Sequence, residues 1–309
     1  MQIIRDIKNM PAEWQGNVLA LGNFDGIHRG HCALLKESVS LAGQYGAMPA
    51  VMTFSPHPRE FFSTDKKPVS IYSLRQKAGC IASAGIEKLY VMRFNRAFSA
   101  LSAYDFISDI LWKTLRVRHV LTGYNFAFGK GRGGNTELLA QLSKEFGFGF
   151  TAMPAVENNG EIISTSAIRA ALKVGDICKA SYMLGHQYAL EGHIIHGHKR
   201  GNALGFPTAN IRIRHLYTPR FGVYAVRVYV DGGWYGGAAS IGINPTFGNN
   251  DPILEVHIFD FEKAVYGKVM RVEFMGFIRD EQKFADVAAL RTQMESDVAM
   301  AKEMLKDVV

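Results

Sequence analysis

The sequence predicts two parts in series: a parallel α/β sheet domain, followed by a small antiparallel β-barrel that ends in a helix. Three observations predict this. Short apolar runs and helical segments alternate over the first 185 or so residues, the pattern of parallel strands joined by helical crossovers. Further on, apolar and polar residues alternate with period two in several segments divided by turn residues, as in a small barrel. The length of 309 residues also exceeds the roughly 100–200 residues usual for one domain. We therefore expect domains at residues 1–185 and 186–309.

The elements follow in order. The apolar run from Asn17 to Phe24 ends in Asp25 and Gly26, and a helical pattern continues through Leu34, Leu35 and Val39, so strand, loop and helix are expected. Ala50–Phe54, Lys88–Phe94 and His119–Thr122 read as further buried strands, with helices near 74–85 and 103–116. Beyond residue 186, Gly222–Val230 places Tyr224, Val226, Val228 and Val230 on one face. Asp231-Gly232-Gly233 then offers a hairpin turn. Leu254–Phe261 and Lys268–Ile278 continue the strand signal. Phe284, Val287, Leu290, Met294 and Val298 recur at helical spacing, which predicts a closing amphipathic helix packed on the core.

Composition narrows the function. With 48% hydrophobic and 20% charged residues the chain is expected to fold throughout. The N-terminus lacks an uninterrupted apolar stretch, and no run approaches the roughly 18 apolar residues of a membrane span, so a cytoplasmic protein without membrane partners is expected. Cys32, Cys80 and Cys178 are too few and too far apart for a zinc site or a disulfide scaffold and read as buried or incidental thiols. The net charge of +7 favours anionic partners. Dense Lys/Arg interleaved with stacking aromatics is not evident, so small phosphates are expected rather than nucleic acid. Nothing in the pattern indicates an oligomeric state.

Two constellations carry chemistry. In GNFDGIHRGH, from Gly22 to His31, the two histidines are three apart at the start of a helix that follows a strand, so both rings can share one face beside the helix N-terminus. Unpaired backbone N–H groups and the helix dipole attract anions there, and imidazoles can donate to phosphoryl oxygens. A zinc pair is disfavoured because HExxH and a third ligand are missing. Two surface histidines are the competing reading for an isolated pair, and the preceding strand and turn weigh against it. In GFPTAN, from Gly205 to Asn210, the spacing alone favours Thr and Asn bonding to the backbone of a turn. Along LEVHIFDF, Glu255 points away from the row Leu254, Val256 and Ile258; a solvated strand carboxylate would do the same.

The first motif resembles the signature of the prokaryotic bifunctional riboflavin kinase and FMN adenylyltransferase family. TFSPHP (Thr53–Pro58), GYNFAFGKGRGGN (Gly123–Asn135), ISTSAIR (Ile163–Arg169) and GHKRGNALGFPTAN (Gly197–Asn210) resemble its other signatures in the same order. The resemblance implies a Rossmann-like nucleotidyltransferase domain at 1–185 and a riboflavin kinase barrel at 186–309. It implies two reactions: riboflavin and ATP give FMN and ADP, then FMN and a second ATP give FAD and pyrophosphate, both with Mg²⁺. It makes His28 and His31 the stabilisers of adenylyl transfer and Glu255 the general base of the kinase. Gly22, Asn23, Phe24, Asp25, Gly26, Ser164, Thr165, Arg169, Gly201, Gly205 and Pro207 would bind nucleotide or phosphate. His57, Pro58 and Asn125 would bind flavin, and Thr208 and Asn210 would hold the metal. Ser164, Thr165 and Ser166 can cap a helix, with Arg169 one turn later able to reach a triphosphate. Asn202 stands where relatives often carry Arg.

Overall fold

Six short strands, β1 (Gln2–Ile4), β2 (Val18–Leu21), β3 (Pro49–Ser55), β4 (Lys88–Arg93), β5 (His119–Gly123) and β6 (Gly149–Met153), form one sheet in the order β1-β4-β3-β2-β5-β6. Every pairing is parallel. The computed structural model describes residues 1–8, 10–65, 67–195, 205–243 and 251–306; Gly201 and Asn202 lie outside them. The central strands read as unbroken apolar runs because both faces are covered. Leu19, Leu21 and Met52 point into one core with Phe106, Ile107 and Leu139. Their neighbours Val18, Ala20 and Val51 point into the other, with Leu34, Leu35 and Ile81.

The helices of this unit are α1 (Arg29–Tyr45), α2 (Pro58–Phe62), α3 (Leu74–Ser83), the short turns α4 (Arg96–Ser99) and α5 (Ala103–Asp105), and α6 (Thr136–Phe146). The helix expected at 103–116 is resolved differently. After α5 the chain widens into a π-helix over Phe106–Thr114, with Leu115 N–H donating to Ile110 O at 2.9 Å. The wider turn brings Phe106, Ile107 and Leu111 onto one buried face. Edge strands β1 and β6 and helix α6 lack the long apolar runs that marked the central strands. Side chain Oδ1 of Asn135 caps α6 by accepting from Leu138 N–H at 2.9 Å.

Strand order positions a site. From β2 the chain steps one way to β3 and β4 and the other way to β5 and β6. The carboxyl ends of β2 and β5 therefore flank the reversal point, where open α/β sheets present their ligand crevice. Gly22–His31 follows β2, and Asn125 follows β5.

Two-residue strands β7 (Glu157–Asn158) and β8 (Glu161–Ile162) pair before α7 (Thr165–Val174) and α8 (Ile177–Leu184). Then come β9 (Ala189–Ile195), β10 (Thr208–Arg212), β11 (Gly222–Val230), β12 (Gly233–Ile243), β13 (Pro252–Ile258), β14 (Val269–Arg279) and α9 (Val287–Leu305). The six strands close into an antiparallel barrel, β10-β13-β12-β11-β14-β9. Tyr224, Val226, Val228 and Val230 are all buried, as their alternation predicts. Asp231 and Gly232 have φ of 54° and 83° between the paired Val230 and Gly233, the two left-handed residues a type I′ hairpin requires. The chain divides into two compact units, Met1–Val69 with Leu74–Ser164, and Ser70–Ser73 with Thr165–Val309. Helices α7 and α8 thus group with the barrel.

Helix α9 packs through the C-terminal part of the expected stripe and its continuation, not through the N-terminal end. Ala301 and Leu305, with Val298 beside them, meet Ala225, Ala238 and Phe259, whereas Val287 is 65% exposed. An ion pair sets this face. Arg279 Nε and Nη2 donate to the two carboxylate oxygens of Asp297 at 2.8 and 2.7 Å, and Gln293 Nε2 adds 2.9 Å to Oδ1. Asp297 lies four residues before Ala301, so the bidentate pair and the apolar contacts share one helix face. Removing one partner of a buried pair leaves an uncompensated charge. Asp297→Ala should therefore lower the stability of the C-terminal unit by about 3 kcal/mol, read as a lower urea midpoint; an unchanged midpoint would show that the pair contributes nothing.

Candidate active sites

The turn after β2 holds an unusual backbone. Phe24, Gly26 and Ile27 have φ of 48°, 79° and 45°, and left-handed backbone is costly for a bulky or β-branched residue. This path delivers His28 to the N-cap of α1, where its Nδ1 accepts from His31 N–H at 3.4 Å. The His28 and His31 rings stack with centroids 3.7 Å apart and planes 23° from parallel. Gly30 permits the stack, since a Cβ there would come within 3.1 Å of the His28 ring. Phe24 is fully buried and packs on His31 at 5.2 Å, so its side chain serves packing. Asp25 is buried as well.

Burial governs the two imidazoles. It lowers the His28 pKa to about 4. His31 is pushed well below the ordinary imidazole value by burial first, then by the charges of His28 and Lys77. Nδ1 of His31 is buried and has no hydrogen-bond partner among the described residues. Two neutral rings at a helix N-terminus can donate N–H bonds to a polyphosphate, whose charge would in turn favour their protonation.

The remaining first-unit residues are placed as follows. His57 caps α2, its Nδ1 accepting from Arg59 N–H at 3.1 Å, and Pro58 is the first residue of that helix. Asn125 is exposed two residues beyond β5. Thr165 opens α7 with Ser164 just before it; Arg169 is buried on that helix, and its carbonyl accepts from Tyr217 Oη at 3.1 Å. Cys32 and Cys178 are exposed and Cys80 is half-buried, and none of the three is in a disulfide.

On the barrel, Thr208 and Asn210 are not turn residues but the first and third positions of β10. Register places Asn210 opposite Glu255, Thr208 opposite His257, and Ser240 of β12 opposite Glu255 on its other side. Directly paired residues of antiparallel strands share a face. These five polar residues therefore occupy one outer face, while Leu254, Val256 and Ile258 fill the interior. His257 Nδ1–H donates to Pro207 O at 2.9 Å, tying the GFP segment to β13. Gly205 has φ of 87°. Asn210 is buried, and its Oδ1 has no hydrogen-bond partner among the described residues. An unpaired buried oxygen beside a threonine hydroxyl and a carboxylate fits a hard divalent cation, which takes oxygen ligands.

Two residues escaped the sequence reading. Lys77 is buried on α3 and donates from Nζ to Asn23 O at 2.7 Å. Its signal was present: Leu74, Lys77, Ala78 and Ile81 recur at the spacing of a core-facing stripe, with a charge in it. Ser240 had no such signal, because its relation to Glu255 depends on strand register.

A family model described as FAD synthetase matches residues 10–167, and one described as riboflavin kinase matches residues 184–305. The chain belongs to the bifunctional riboflavin kinase/FMN adenylyltransferase family. The protein of that description from Escherichia coli (strain K12) is 40% identical over 98% of this chain and 97% of its own. Its counterpart in Pseudomonas fluorescens is 36% identical, covering 98% of each. A crystal structure described as a macrolide-efflux protein from Streptococcus pneumoniae is 30% identical and superimposes with a TM-score of 0.84 over 97% of this chain and 98% of that one. Among the described residues here, no helix is long and apolar enough to cross a membrane.

The depressed imidazoles of this family member make its stability depend on pH. The unfolded chain binds protons at His28 and His31 near pH 6.5, whereas the folded chain resists until pH is far lower. Stability is therefore full above about 6.5 and is lost as pH falls toward 4, by about 2 kcal/mol from His28 alone near pH 5. Urea midpoints at pH 7.5 and 5 should show this loss, and His28→Asn should reduce it.

Proposed function

We propose that this chain makes FAD from riboflavin in two steps at two separate sites, consuming Mg-ATP in each. One observation carries the reading: each compact unit contains its own phosphate-handling constellation, stacked imidazoles at a helix N-terminus in one and an oxygen-rich face beside Glu255 in the other. We take residues 1–185 and 186–309 as the functional modules. The start of the second matched span at residue 184 supports that division.

In the barrel module, the riboflavin 5′-hydroxyl attacks the γ-phosphorus of ATP, its proton passes to the Glu255 carboxylate, and ADP leaves. Thr208 Oγ1 and Asn210 Oδ1 would hold Mg²⁺, which would neutralise charge on the phosphates. Gly205 and Pro207 shape the backbone beside them. Gly201 belongs to the same motif. In the first module, a phosphate oxygen of FMN attacks the α-phosphorus of ATP and pyrophosphate leaves. His28 and His31 donate hydrogen bonds to the oxygens that gain charge, aided by backbone N–H groups of Gly22–Gly26. Ser164, Thr165 and Arg169 are assigned to the nucleotide, and His57, Pro58 and Asn125 to the flavin. Dependence on ATP and three cysteines outside disulfides suit a cytoplasmic enzyme.

Glu255→Ala should abolish FMN formation from riboflavin and leave FMN adenylylation intact, as resolved by chromatography with flavin fluorescence. Loss of both activities together would overturn the two-site reading. The double change His28→Ala/His31→Ala should produce the reverse, with FMN accumulating.

Asn210→Ala should raise the Mg²⁺ concentration needed for half-maximal kinase rate at least tenfold. An unchanged Mg²⁺ titration would remove Asn210 from the metal site.

A further inference from the structure

We propose that Lys77 is a positioning residue for adenylyl transfer, holding the Asn23 carbonyl so that the left-handed turn presents His28 and His31 to the nucleotide. The proposal rests on the reading of that pair as the adenylyl-transfer site. Nζ of Lys77 donates to Asn23 O at 2.7 Å and lies 3.4 Å from Thr53 Oγ1. Thr53 Oγ1 donates to the same carbonyl at 3.0 Å. One backbone oxygen thus receives two buried donors from two different elements, α3 and β3.

The position of that oxygen gives it consequence. It belongs to the residue immediately before Phe24, the first of the left-handed residues that lead to the His28 cap. Strained backbone persists only where its surroundings over-determine it. A lysine in the core-facing stripe of a helix has a high desolvation cost, and simple packing would be met by leucine or methionine. Four other titratable groups bear on this region: His28 and His31 on α1, Asp25 in the turn, and Glu60 on α2. The Asp25 and Glu60 charges favour the Lys77 ammonium against its burial. The ammonium in turn disfavours a proton on His31. Lys77 therefore acts on the geometry of the imidazole pair and on the charge state of His31 from beneath the turn.

The test compares Lys77→Met, Lys77→Gln and Lys77→Arg in the full chain, with FMN formation from riboflavin as the internal measure of folding. Lys77→Met should reduce kcat for FMN adenylylation roughly 100-fold, the scale of a misplaced catalytic group, with kinase rate unchanged. The limb of its pH profile set by His31 should move to higher pH, because the neighbouring cation is gone. Lys77→Gln, which keeps a donor without charge, should recover part of the rate but show the same shift in the profile. Lys77→Arg should keep the profile in place. Titration of the His31 ring by NMR reads the same shift independently of turnover. If Lys77→Met retains adenylylation within threefold and the His31 titration does not move, the proposal is overturned alone. If the unsubstituted chain makes no FAD from FMN and ATP, the adenylyl-transfer reading falls and the proposal with it.

Discussion

Phe24 and Ile27 hold left-handed backbone between β2 and α1, and the first unit is arranged around keeping them there. Phe24 is buried in the core and packs against the His31 ring. Thr53 and Lys77 bind the carbonyl that precedes it. The helix that follows starts with His28 as its cap, so an error in the turn would rotate the first turn of α1 and the imidazole stack together. Strand order places this turn at the point where the direction of strand addition reverses. A ligand in the crevice there meets backbone donors and two neutral rings at once.

The barrel solves a different problem. Its interior is a continuous apolar filling, and polar chemistry must sit on the outside, where water would ordinarily satisfy it. Asn210 departs from that arrangement, because it faces outward with Glu255 and is nevertheless buried, with an unpaired oxygen. Burial without a partner is unfavourable in a purely structural position. Beside Thr208 and Glu255 its chemistry fits the oxygen-seeking cation of the proposed kinase reaction. His257 contributes by fixing the Pro207 carbonyl, which holds the entry to β10 against β13.

Two charged groups show how burial changes the meaning of a residue. Asp297 lies on the face of α9 that packs on the barrel and is matched in both oxygens by Arg279. Lys77 lies on the core face of α3 and is matched by one carbonyl and two carboxylate charges. The first pairing orients a whole helix. The second bears on the turn that carries the histidines.

Alternating apolar strands and helices, the period-two run Gly222–Val230 and the ordered motifs made the parallel sheet, the barrel and the family legible from sequence alone. These signals are local, since burial of both sheet faces or of one barrel face prints directly on neighbouring residues. The π-helix at Phe106–Thr114, the exposed Val287, the edge strands and the strand order were not legible, because each depends on what packs from elsewhere in the chain. The candidate sites divide in the same way. Sequence by itself determined which side chains are the candidates for the proposed chemistry, as histidines, glutamate, threonine and asparagine at fixed spacing. Only tertiary structure decided that the His28 and His31 rings stack, that Asn210 pairs across strands with Glu255, and that Lys77 sits beneath the turn. The reason is physical: residue type sets what a group can bond, but register, burial and neighbouring charge set which bond and which protonation state it adopts.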